Sequence, residues 1–93
     1  MGRVCVVDDK EMLRESVAET LMRDDHLVTT FGDPAEALEA IKSGAFDCVV
    51  TDLKMPGMDG VTLLREMRGA DCNASVILMT AFASVESAVE AMK

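Results

Sequence analysis

Three aspartates and a threonine stand where apolar runs end. Val4-Cys5-Val6-Val7 leads into Asp8-Asp9, Cys48-Val49-Val50-Thr51 into Asp52, and Val76-Ile77-Leu78-Met79 into Thr80. Short blocks rich in Val and Ile read as strands buried on both faces, as in a parallel sheet covered by helices. The carboxyl ends of parallel strands share one edge, and ligands bind in the crevice there. Three carboxylates and a hydroxyl are thus brought to one rim. Carboxylates ~5 Å apart repel by roughly 3 kcal/mol at an effective dielectric of about 20, and a bound divalent cation is the simplest compensation. Asp8 or Asp9 taken alone could equally cap a following helix, and Thr80 could be a strand-end threonine without a partner. Lys10 and Lys54 lie close enough in sequence to offset part of the charge.

The elements that position these residues alternate strictly. After the first strand, Lys10 to about Arg23 carries Leu13, Val17 and Leu21 at helical spacing, which predicts a helix with one apolar stripe. Asp24-Asp25 breaks it, and His26 to Phe31 is a second strand. Asp33-Pro34-Ala35-Glu36 combines an acidic cap, proline at the first helical position and a glutamate three residues after the cap. That helix turns Ala37, Leu38 and Ile41 inward and stops at Ser43-Gly44. The third strand reaches Asp52; a loop with Pro56 and Gly57 follows, and Asp59 caps a helix bearing Val61, Leu64 and Met67. The fourth strand ends at Thr80, and Ser84 starts a helix with Val85, Ala88, Val89 and Met92. This βαβαβαβα order specifies an α/β fold with a parallel sheet, helices on both faces and right-handed crossovers.

Composition narrows the class. Ninety-three residues with 49 % hydrophobic content make one small domain with a real core. No apolar run approaches the roughly 20 residues of a membrane span, and the start of the chain lacks a secretory apolar region, so a cytoplasmic protein is expected. Cys5, Cys48 and Cys72 are odd in number and lack metal-site spacing, which suits small hydrophobes better than a disulfide or zinc site. Nine basic against 17 acidic residues leave a net charge of −8, which argues against direct nucleic-acid binding by this domain. His26, a lone histidine at a strand start, reads as a surface residue, and the eight methionines as core filler.

Asp8-Asp9, then Asp52 followed by Leu53-Lys54-Met55-Pro56-Gly57-Met58-Asp59-Gly60, then Thr80-Ala81 resemble, at these spacings and over the whole chain, the receiver domain of bacterial two-component response regulators. Residues 80–93 look especially like the nitrogen-regulation type, whose receivers precede an ATPase domain and a DNA-binding domain. The resemblance implies a flavodoxin-like sheet of strand order 2-1-3-4-5. It also implies that Asp52 is the phosphoacceptor, charged by a histidine of a sensor histidine kinase. Asp9 would bind Mg²⁺ directly, Asp8 largely through water, with Asp52 and the backbone carbonyl of Lys54 as further ligands. Few protein oxygens completed by water suit Mg²⁺ better than Ca²⁺, and phosphoryl transfer needs such charge neutralisation. Thr80 would be the switch residue, drawn inward by a hydrogen bond to the phosphoryl group.

Family receivers continue into a fifth strand ending in lysine-proline and a fifth helix. On that pattern residues 1–93 are expected to form a receiver domain incomplete at its C-terminus, with the fourth-strand edge open to self-association. Accepting a phosphoryl group and slowly losing it would be its only chemistry, which makes it a signalling module rather than an enzyme. Two other classes compete. A hydrolase of the haloacid-dehalogenase type also uses a strand-end aspartate and Mg²⁺, but wants a second acid two residues later, where Lys54 stands. A phosphorylation-incompetent interaction module is left open by the missing lysine.

Overall fold

Parallel pairing organises residues 2–79, the part of the chain that the computed structural model describes. The switch position Thr80 and the helix expected from Ser84 lie outside the described residues. The elements run β1 (Arg3–Val7), α1 (Glu11–Arg23), β2 (Leu27–Phe31), α2 (Pro34–Lys42), β3 (Cys48–Asp52), α3 (Gly60–Gly69) and β4 (Ser75–Met79). The strands pair in the order β2-β1-β3-β4, all parallel, which are the first four places of the expected flavodoxin-like order. Among the described residues no helix is long and apolar enough to cross a membrane.

The alternation of side chains along β1 and β3 divides the interior into two layers. Cys5, Val7 and Val49 face α2 and α3, where they pack with Ala37, Leu38, Ile41, Leu63 and Met67. Val4, Val6 and Val50 face the other way, against Val17 and Leu21 of α1. The helix boundaries follow from local chemistry. Asp33 accepts a hydrogen bond from the Ala35 N–H at 2.9 Å with Pro34 behind it, and Gly44 leaves α2 at φ 81°, a left-handed turn that suits glycine. Asp59 Oδ1 accepts from the Thr62 N–H at 2.8 Å and opens α3.

Three expectations change. The buried-on-both-faces pattern holds for β1 and β3, but β4 lies at one end of the described sheet and Ile77 is 53 % exposed. Leu13 is 47 % exposed: it sits in the first turn of α1, level with the end of β1, beyond the layer that Val17 and Leu21 cover. In α3 the inward residues are Gly60, Leu63 and Met67, with Val61 and Leu64 on the flanks. The Gly60 N–H bonds the Leu53 carbonyl at 2.8 Å, and this contact sets the rotation of the helix, so the buried row runs i, i+3, i+7 from Gly60. Leu63→Ala should accordingly cost about 3 kcal/mol and Leu64→Ala under about 1 kcal/mol in urea denaturation, since only the former empties a closed site. Equal losses would place the helix in the other rotation.

Candidate functional site

The register of β1 on β3 builds the site. Val7 pairs with Thr51, so the next residue on each strand, Asp8 and Asp52, stand side by side at the carboxyl edge. Both share the parity of Val6 and Val50, and therefore belong to the α1 face. Asp8 is 2 % and Asp52 6 % exposed, whereas Asp9, in the turn after β1, is more accessible. One carboxylate oxygen from each of the three lies within 4.8 Å of those of the other two. Oxygens on opposite sides of a Mg²⁺ ion lie ~4.2 Å apart, at about 2.1 Å each from the metal. A small side-chain adjustment thus lets this hard-oxygen set hold such a cation, and the residues present fit the group.

The backbone around the cluster is held from several sides. The Asp8 N–H donates to the Phe31 carbonyl at 3.1 Å, and Asp8 Oδ1 accepts from the Lys10 N–H at 2.9 Å. Asp8 thus closes the turn that precedes α1 without capping the helix, whose N-cap is Lys10. The Arg14 guanidinium, one turn along the helix, donates to the Asp8 carbonyl at 3.0 Å. At Asp52 the strand end is braced by Gly60. A Cβ there would lie 2.6 Å from the Asp52 backbone oxygen, so α3 can start this close only with glycine.

Lys54 is exposed in the loop after β3, with its N–H directed at Asp52 Oδ1 at 3.4 Å. Among the described residues, the basic group that reaches the rim is instead Lys10. Its Nζ lies 3.2 Å from Asp52 Oδ2 and 3.8 Å from Asp9 Oδ1. Sequence proximity alone could not separate the two lysines. Lys10 precedes a helix on the face that Asp52 points to, and this decides between them. His26 sits at the opposite edge, where its Nδ1 accepts from the Gly2 N–H at 3.0 Å, far from the acids by topology. Burial pushes the Cys5 thiol up to about 12 and also raises Cys48, so neither offers a thiolate.

Electrostatics follow the geometry. Burial raises the Asp8 carboxyl above its ordinary value, the neighbouring Asp52 and Asp9 charges add to the rise, and the hydrogen bond from Lys10 opposes it. The hydrogen bond and charge of Asp52 hold the Lys10 ammonium above the usual lysine range.

Comparison with known proteins places this arrangement. The family described as response regulator receiver domain matches residues 4–93. The transcriptional regulatory protein FixJ of Bradyrhizobium diazoefficiens is 38 % identical over 92 residues, which cover 99 % of this chain and 45 % of that protein. The DNA-binding transcriptional regulator NtrC of Escherichia coli K12 is 39 % identical over 90 residues, covering 97 % of this chain and 19 % of the relative. The chain therefore spans less than half the length of these relatives. Among solved structures, the response regulator TrrA of Thermotoga maritima, in complex with Mg²⁺ and BeF, superposes with a TM-score of 0.88 at 34 % identity, covering 99 % of this chain and 80 % of that one. A Francisella receiver domain gives 0.90 at 29 % identity, covering 99 % and 76 %.

Because burial raises the Asp8 pKa in the folded state, its charge opposes folding above that pKa. The opposition fades as pH falls through the raised folded value and is gone below the ordinary 3.8, where folded and unfolded chains are both protonated. Asp8→Asn keeps the acceptor for Lys10 and should stabilise the metal-free protein at neutral pH, by no more than the roughly 3 kcal/mol of one carboxylate pair ~5 Å apart near a surface. Urea midpoints in EDTA should show that gain shrinking in acid; a gain independent of pH would remove the carboxylate charge as its cause.

Proposed function

The chain belongs to the response regulator receiver domain family of two-component systems, and on that premise we propose that Asp52 accepts a phosphoryl group from the phosphohistidine of a sensor histidine kinase. The observation that carries the proposal is the meeting of Asp8, Asp9 and Asp52 carboxylates within 4.8 Å at the strand ends. Asp8, Asp9, Asp52 and the backbone carbonyl of Lys54 would hold Mg²⁺. The bound cation would supply neutralisation of the charge on the transferring phosphoryl oxygens.

This chain's own residues do the rest. A carboxylate oxygen of Asp52 forms the new O–P bond as the P–N bond to the donor imidazole breaks, and that nitrogen takes up a proton as it leaves. The buried flank of Asp52 limits the approach to the open side of the rim, which favours an in-line geometry. Asp8 and Asp9 keep local charge negative until a cation arrives, so Asp52 cannot easily approach a phosphoryl group without one. Water later attacks the acyl phosphate and returns the carboxylate, which makes the domain a signalling device rather than a classical enzyme. Thr80, in the residue after the β4 partner of Asp52, is assigned to the switch. Control of transcription by other segments is the output that fits the FixJ and NtrC relatives, and the −8 charge suits a receiver that does not grip DNA itself.

Intact-mass measurement after incubation with acetyl phosphate and Mg²⁺ tests the assignment. The wild-type chain should gain the mass of one phosphoryl group, Asp52→Asn should gain none, and EDTA should prevent the gain. Asp9→Ala should slow labelling at least ~tenfold, about 1.4 kcal/mol of transition-state stabilisation. Full labelling of the Asn variant would move the acceptor to another residue.

A further inference from the structure

We propose that Lys10 is a tethered counter-cation that competes with the divalent metal for the acidic rim, so that metal binding requires its ammonium to leave Asp52. The inference rests on the metal site of the preceding section and adds a control on its occupancy. Lys10 Nζ touches two of the three carboxylates, at 3.2 Å from Asp52 Oδ2 and 3.8 Å from Asp9 Oδ1. An ammonium hydrogen-bonded to a carboxylate takes up the direction in which a metal would approach the same oxygen. A cation ~2.1 Å from Asp52 Oδ2 would lie no farther than about 5.3 Å from Nζ, and a dication and an ammonium that close repel.

The two ends of Lys10 differ in freedom. Its backbone is fixed: the N–H bonds Asp8 Oδ1, and the carbonyl accepts from the Arg14 N–H at 3.0 Å. Its side chain is 56 % exposed, so the ammonium can swing into solvent with the helix in place. Lys10 also stands at the N-cap of α1 with no side-chain cap bond, where the helix dipole disfavours a positive charge. The carboxylates compensate a cation that the helix alone would repel. Before metal arrives, Lys10 relieves the mutual repulsion of the three acids and covers Asp52 Oδ2, one of the two oxygens available for attack. Metal entry and release of the ammonium from that oxygen become one event.

Mg²⁺ affinity of the 93-residue chain, measured by titration calorimetry and checked with Mn²⁺ by electron paramagnetic resonance, tests this. Lys10→Met should bind about tenfold more tightly, the scale of a lost charge-assisted hydrogen bond. Lys10→Arg, which keeps the charge, should return affinity to within about twofold of the wild type. Saturating Mg²⁺ should also shift the Lys10 side-chain ¹⁵Nζ resonance toward that of a solvated lysine. Equal or weaker binding by the Met variant would overturn the role of Lys10 and leave the metal site standing. Absence of Mg²⁺ binding by all three chains would remove the metal site itself, and the competition with it.

Discussion

Everything at the rim depends on the register between β1 and β3. Pairing Val7 with Thr51 sets Asp8 beside Asp52 and gives both the parity of the α1 face. A slip of one residue would turn Asp52 into the layer occupied by Val49 and Leu63, and would carry Val50 out of its own layer. The two apolar layers therefore hold the register, and the register holds the carboxylates. Burial that looks like mere core formation is what sets the distance between charged groups.

Holding two nearly buried acids side by side is costly, and the surroundings distribute that cost. The Asp8 carboxyl takes a backbone hydrogen bond from Lys10 while Arg14 holds its carbonyl. Asp52 takes the ammonium of Lys10 and a weaker approach from the Lys54 N–H. Gly60 allows α3 to begin against the Asp52 carbonyl, which locks the strand end without adding a polar partner. No buried side-chain nitrogen or oxygen among the described residues lacks a hydrogen bond. Of the groups that bond the two acids, the Lys10 side chain is more than half exposed.

The order of elements as far as β4, the strand-end position of the acids and the caps at Asp33 and Asp59 were legible in the chain, because each rests on local rules: short apolar runs, turn residues and capping preferences. The motif around Asp52 carried the family as well. Which of Val61, Leu64, Leu63 and Met67 faced inward was not legible, because neighbouring leucines fit an apolar stripe in more than one rotation. The choice came from a contact with Leu53 in a preceding loop. The outward position of Leu13, in the first turn of α1, likewise reflects where that layer stops.

Local chemistry by itself thus determined what this protein is made of: parallel strands ending in carboxylates, helices between them, and a receiver signature at fixed spacings. Only the tertiary structure decided which basic group meets those carboxylates. Lys10 and Lys54 are both two residues from an acid of the cluster, and nothing in their spacing ranks them. The strand parity that turns Asp52 toward α1 and the helix start that anchors Lys10 there bring its ammonium to 3.2 Å. A through-space distance between residues 42 positions apart is a property of packing, which no local rule of the chain contains.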